Sequence, residues 1–175
     1  MLHHAAYGTR MTPTDGIASL SAPERLGVKT GRGFYDHPPA KGRKRPEATP
    51  ASDLARFQSG GFARDLPAET LVDRCVLAML NEAARCLEEG VVADAAALDL
   101  GTVFGMGFPP FHGGLMRWAD SVGTAEITAR LERIASAPDI AAREGGVAKF
   151  TPAAMLSELG RGGERFRVPR LLVAS

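Results

Sequence analysis

Cysteine is scarce: Cys75 and Cys86 are the only two in 175 residues. Both fall on one predicted helix, eleven positions apart. At about 1.5 Å of rise per residue they lie roughly 16 Å from each other, beyond disulfide reach, and they read as small apolar core residues. No Cys-x-x-Cys pair and no His/Cys ligand spacing occurs, so the usual zinc patterns are excluded. His3 and His4 stand at the terminus and read as a solvated pair. Charge of one sign is lacking too. The formal net charge of +1 argues against a dedicated nucleic-acid binder, which needs a basic excess, and the run Lys41 to Arg45 reads as a solvated loop. No apolar run approaches the roughly 20 residues that span a bilayer. The N-terminal MLHHAAYGTRM has no apolar core of signal-peptide type. A soluble cytoplasmic protein is the expectation.

Nucleotide-binding signatures are missing as well. Lys29-Thr30 follows Gly27, but a phosphate loop requires G-x-x-x-x-G-K-[ST] running into a helix, and the spacing here is wrong. In Gly31-Arg32-Gly33, Asp36 stands where the third glycine of a dinucleotide fingerprint belongs, and no apolar strand leads in. The segment GVKTGRGFYD therefore reads as a tight turn pinned by Phe34 and Tyr35. No stretch shows convincing period-2 alternation, so the expected class is all-α.

What is present is enough apolar material, 45% of residues, for a sizeable core. Residues 1–36 are interrupted by Gly8, Pro13, Gly16 and Pro23. Residues 37–66, with HPPAKGRKRPEATPAS, read as a linker; 53–57 has the makings of a short helix or turn. From 67 to 89 the spacing of Val72, Val76, Met79, Leu80, Ala83 and Leu87 predicts a long amphipathic helix, with Pro67 in its first turn and Gly90 as a left-handed cap. Asn81 is a mediocre helix former, which hints at a side-chain bond to another segment. Glu82 reads as a solvated or salt-bridged carboxylate. Asp94 is placed to cap a second helix over 95–104, contacting the core through Leu98 and Val103 and ended by Gly105.

The turn Gly105-Met106-Gly107-Phe108-Pro109-Pro110-Phe111-His112-Gly113-Gly114 follows and sets the angle to a third helix over 115–122. Leu115 and Trp118 face inward on that helix and Asp120 lies near its end. His112 has no Ser, Cys or acid at a nucleophile spacing and reads as part of the turn. Thr124 is expected to cap a fourth helix over 125–136, striped by Ile127, Leu131 and Ile134. Gly145-Gly146 breaks the chain, and Thr151-Pro152 opens a last helix through Leu159.

These blocks resemble a known family. LGVKTGRGFYDH is similar to the segment that closes the first helical domain of 3-hydroxyacyl-CoA dehydrogenases. The stretch from Arg74 to Gly123, with NEAARCLEEG and GFPPFHGGLMRWAD, resembles the second helical domain in the α subunit of the fatty acid oxidation complex, and KFTPAAMLSELGRGGERF resembles that subunit's end. The resemblance spans about residues 17–168. It implies a helical bundle of the 6-phosphogluconate dehydrogenase C-terminal-domain-like kind, without a Rossmann domain. Residues 1–36 would be the remnant of a first helical domain, 37–66 a linker, 67–168 the second helical domain and 169–175 a tail.

The complete enzyme oxidises the 3-hydroxyl of an acyl-CoA with NAD on a Rossmann domain and also carries a hydratase part; the signatures of both are lacking here. No cofactor is expected on this chain, and acyl-CoA only in the complete enzyme. Catalytic domains of the family open their long helix with Val-Asn-Arg, whose asparagine assists at the active site. Here the residues are Val72-Asp73-Arg74, and a carboxylate cannot donate as an amide does. The resemblance thus implies a packing domain, inactive alone, whose partner is the Rossmann/hydratase part or a second copy. Arg74, Asn81, Glu82, Gly105, Gly107, Phe108, Pro109, Gly113, Gly114 and Asp120 are the structural or interface candidates. Two alternatives are a separately encoded subunit that completes a dehydrogenase in trans through the face of helix 71–89, and a CoA-binding module that keeps a pocket near 108–112.

Overall fold

The computed structural model describes residues 8–12, 22–40, 42, 46–54 and 66–166. The chain divides into two compact units, Met1–Leu66 and Pro67–Ser175.

The first unit is organised by one guanidinium. Arg25 donates to both carboxylate oxygens of Asp53, at 2.5 and 3.3 Å, and to the carbonyl of Gly33 at 2.6 Å. Arg32 reaches Asp53 and Asp36. The hydrogen bond from Arg25, ahead of its charge, holds the Asp53 carboxyl below the usual aspartate value. This gathers 22–36 against 49–54. Strand β1 (Tyr35–Asp36) pairs antiparallel with β2 (Thr49–Pro50), Tyr35 opposite Pro50. Gly33 is buried so closely against Gly27 that a Cβ there would stand 3.0 Å from the Gly27 backbone. The stretch read as a linker thus supplies a strand and the central anion of a small folded motif. Two-residue strands are too short for alternation to show. Of the turn expected over 53–57, only 53–54 lie within the described residues, in a short 3-10 turn; His3, His4 and, except for Gly42, the run Lys41 to Arg45 lie outside them.

Every regular element among the described residues of the second unit is a helix. Helix α1 (Ala68–Glu88) starts one residue after Pro67, which is the N-cap and not a first-turn residue, with Glu69 at the positive end of the helix dipole. It ends in a Schellman arrangement. Gly90, at φ +67°, donates to Leu87 O, and Val91 donates to Cys86 O. The buried stripe is rotated from the expected one. Leu77, Leu80 and Ala84 are fully enclosed, while Val72 is 58% exposed and Val76, Met79 and Leu87 are only partly buried.

Helix α2 (Ala95–Met106) is capped by Asp94, whose side chain accepts from Ala97 N. It runs through Gly105 and ends at Gly107, where φ is +71°. A 3-10 turn (Pro110–His112) leads to α3 (Leu115–Val122). Thr124 is the first residue of α4 (Thr124–Ala135) and not its cap; Gly123 takes that place. The hydroxyl of Thr124 donates instead to Glu164 O. Two short helices not read from the sequence follow, α5 (Pro138–Ala141) and α6 (Gly146–Phe150). Helix α7 (Ala154–Gly162) continues a turn beyond Leu159 and closes with Gly163 at φ +65°.

The core lies where α1, α3, α4 and α7 meet. Leu77, Leu80, Leu115, Met116, Ile127, Leu131 and Leu156 are fully buried there, with Ile134, Ile140 and Phe150 around them. Each such side chain contributes about 1.5–3 kcal/mol of burial, which makes α4, striped throughout by Ile127, Leu131 and Ile134, the centre of the packing.

Candidate functional site

Asp73 and Arg74 sit next to each other on α1 and serve different neighbours. Asp73 Oδ1 is 3.4 Å from Arg130 Nη1 on α4, with both side chains about a third exposed. Arg130 also donates from Nε to Glu126 at 2.7 Å, which holds the Glu126 carboxyl below its ordinary value. The same bond, and next the charge of Asp73, holds the Arg130 guanidinium more firmly protonated than usual, against the cost of desolvation. Asp73 is thus part of an acid–Arg–acid bridge between two helices, with its charge compensated.

Arg74 points the other way. Its two terminal nitrogens grip Asp139 in a fork, at 2.5 and 2.9 Å, and Asp139 is buried on α5. Bidentate pairs of this kind are among the stronger polar contacts. The hydrogen bond from Arg74, and after desolvation its charge, holds the Asp139 carboxyl below the usual aspartate value. A carboxyl with a depressed native pKa stabilises the fold above its unfolded pKa and loses that contribution as the pH falls through the native one. We expect Arg74→Ala to cost about 2–4 kcal/mol at neutral pH, by leaving Asp139 enclosed without its partner. The loss should shrink as the pH falls through the carboxylate range, because the unpartnered Asp139 takes up a proton in the variant more readily than the paired one does. Urea unfolding followed at pH 7 and at pH 3.5 would read both effects.

The polar face of α1 continues into a strap on the segment before α7. Asn81 is completely buried. Its amide nitrogen donates to Lys149 O at 2.9 Å and Thr151 O at 2.8 Å, and its oxygen accepts from Ala153 N at 2.8 Å. Arg85 adds bonds to Ala148 O and Thr151 O and stands 3.4 Å from Glu82. Glu88 accepts from Met155 N. One helix face therefore fixes residues 148–155, from the end of α6 across 151–153 into the start of α7.

The glycine–proline turn is built on Asp99 and Thr102, neither singled out by the sequence. Helix α3 begins after Gly114 with no Ser, Thr, Asp or Asn to cap it. Asp99 Oδ1 reaches across from α2 and accepts from Met116 N at 2.7 Å and Arg117 N at 3.2 Å, and Thr102 Oγ1 accepts from Leu115 N at 3.3 Å. The first three free N–H groups of α3 are thereby satisfied, with a carboxylate at the positive end of the helix. Gly114 permits this approach. Its φ is +111°, and a Cβ there would fall 2.3 Å from Asp99 Cβ. Phe108 packs edge-on to Trp118 at 6.5 Å between centroids. His112 lies against Phe111 and Phe108, at 4.6 and 6.0 Å. At the far end of α3, Asp120 Oδ1 accepts from Phe166 N. Gly105 has open space where a Cβ would stand, and Pro109 is the N-cap of the 3-10 turn.

The candidates thus divide into an ion-pair cluster, a strap and a capped turn, all on Pro67–Ser175. A groove of about 300 Å³ runs beside the turn, lined by Ala96, Leu100, Val103, Phe104, Pro110 and Gly113, with Asp99 at its base. Among the described residues there is no group of three or more His, Cys, Asp or Glu able to hold a metal ion, and no helix long and apolar enough to cross a membrane. None of the helices α1 to α7 follows a strand through a glycine-rich turn, the arrangement that seats a pyrophosphate.

The second unit is a helical bundle held by ion pairs and caps. Residues 71–165 match the family model of the 3-hydroxyacyl-CoA dehydrogenase C-terminal domain, and the chain belongs to that family.

Proposed function

We propose that the chain is the C-terminal portion of a cytoplasmic 3-hydroxyacyl-CoA dehydrogenase of fatty acid β-oxidation, as in the multifunctional α subunit, and that it supports that enzyme by packing, without turnover of its own. The observation that carries this reading is the bond between Asp73 and Arg130. At the position where catalytic domains of the family place an amide, this chain has a carboxylate committed to an ion pair between α1 and α4. A carboxylate accepts hydrogen bonds only and would oppose the developing oxyanion that an amide N–H could stabilise. Three further residues serve the backbone: Asn81 holds 148–155, and Asp99 and Gly114 set the start of α3.

Calorimetry with NAD and with acetoacetyl-CoA tests this. The expected result is no binding heat from either at millimolar ligand. Saturable binding of acetoacetyl-CoA would instead favour a CoA-binding module, and binding of NAD would overturn the proposal.

A subunit acting in trans is the second reading, and the exposed apolar face of α2 favours it. Leu71 and Val72 are also exposed at the start of α1, so the outer face of that helix is a further candidate docking side.

A further inference from the structure

The first unit closes on itself with little apolar surface inside. Among its described residues only Gly33 and Ala51 are buried, while Leu26, Val28, Phe34 and Tyr35 are between 49% and 60% exposed. Apolar burial, the usual driving term of a fold, is therefore small here. What is enclosed instead is a cation. The Arg25 side chain is 8% exposed, and its guanidinium joins the turn at 22–25 to the carbonyl of Gly33 and to Asp53. Arg32 reaches the same carboxylate. The backbone ties beside these bonds are few. Ala51 N donates to Phe34 O, and the β1–β2 pair is two residues long, too short to hold by itself in water.

We propose that the Arg25–Asp53 pair is a charge-gated clasp: while Asp53 is charged, residues 22–54 stay closed, and when that charge is lost they open together, leaving the helical bundle of Pro67–Ser175 folded. The inference concerns the first unit and is independent of whether the second is catalytically silent.

The geometry makes Asp53 the common acceptor of the unit. Removing its charge leaves an enclosed guanidinium without a counter-ion, which costs far more than the loss of a surface pair. The charged groups facing Asp53 are Arg25 from the turn at 22–25 and Arg32 from the loop 27–33, and Asp36 on β1 faces Arg32 from its other side. The hydrogen bond from Arg25 keeps Asp53 ionised below the usual aspartate range. Closure is thus complete at neutral pH and is lost as the pH falls through the native pKa.

Opening changes the length of chain that leads into the bundle. With the clasp closed, the stretch between the two units is 55–66, about 40 Å at full extension; with it open, the stretch is 22–66, about 150 Å. The clasp is a length switch on that connection.

Amide hydrogen exchange on the full chain at pH 7, read by NMR, tests the proposal. The hydrogen-bonded amides of Gly27, Gly33, His37 and Ala51 report the clasp, and those of Leu80 and Leu131 report the bundle. Asp53→Asn is expected to lower protection at all four clasp amides together, by at least about tenfold, with Leu80 and Leu131 unchanged. Arg25→Gln should do the same. Asp36→Asn removes a pair whose two side chains are nearly half exposed, and should change the four amides by less than about threefold. Unchanged protection in Asp53→Asn and Arg25→Gln would overturn the proposal. So would a loss confined to Ala51, a loss that spreads to Leu80 and Leu131, or wild-type clasp amides that exchange as fast as an open chain. None of these outcomes bears on turnover or on NAD binding.

Discussion

Replacing Asn81 with leucine is expected to cost about 4 kcal/mol of stability, although leucine is the better helix former and the more apolar residue. The expectation follows from what the amide holds. Lys149 O and Ala153 N depend on it, and Ala153 is buried. Thr151 O keeps a second donor in Arg85. Each buried backbone group left without a partner costs about 1–3 kcal/mol, and leucine's branched end would also press on the carbonyls it replaces. A loss of this size is a large part of the roughly 5–15 kcal/mol that holds a domain. Urea unfolding should show a midpoint lower by about 2 M or more. An unchanged midpoint would mean that 148–155 is held by the packing of Phe150 and Leu156 alone.

Gly114→Ala should be nearly as severe, at about 3–4 kcal/mol, for an added mass of one methyl group. Two effects combine. The backbone at φ +111° is a conformation that side chains rarely adopt, and the new Cβ would lie 2.3 Å from Asp99 Cβ and 2.4 Å from its Oδ1. Asp99 cannot retreat without releasing the N–H groups of Met116 and Arg117. Gly105→Ala is the contrast within the same turn sequence. That glycine lies inside α2 with open space around it, and alanine there should stabilise by about 0.5–1 kcal/mol. Thermal unfolding of the two variants should therefore move in opposite directions.

Much of the helical layout was legible, because α3 and α4 carry their apolar residues at spacings that only one helix face satisfies. Ile127, Leu131 and Ile134 are read directly and are all buried. The inner face of α1 was harder to place for a physical reason. Its middle is Asn81, a polar residue buried to bind 149–153, and a stripe drawn through apolar residues alone swings away from it toward Val72 and Val76. Helices α5 and α6 are too short to show a period. Arg74 and Asp139 are 65 positions apart, so nothing local pairs them.

Asp99 left a signal that went unread. It is the lone charge in an otherwise apolar helix, with Thr102 three residues on, and it precedes a helix that begins at Gly114 without a capping side chain. A helix start lacking its own cap requires one from elsewhere. In the same way, the positive-φ glycine at 107, and not Gly105, ends α2; only the observed backbone distinguishes two glycines so closely spaced.

The family of this chain is shown by residues 71–165, and its silence as an enzyme is the claim that the Asp73–Arg130 pair supports. The most direct measurement is the absorbance of NADH formed from NAD and 3-hydroxybutyryl-CoA by the purified chain, alone and as Asp73→Asn. Neither protein is expected to form NADH above the background of buffer, since restoring the amide does not supply a nucleotide site. Turnover by the unmodified chain that rises in proportion to its concentration would contradict the account.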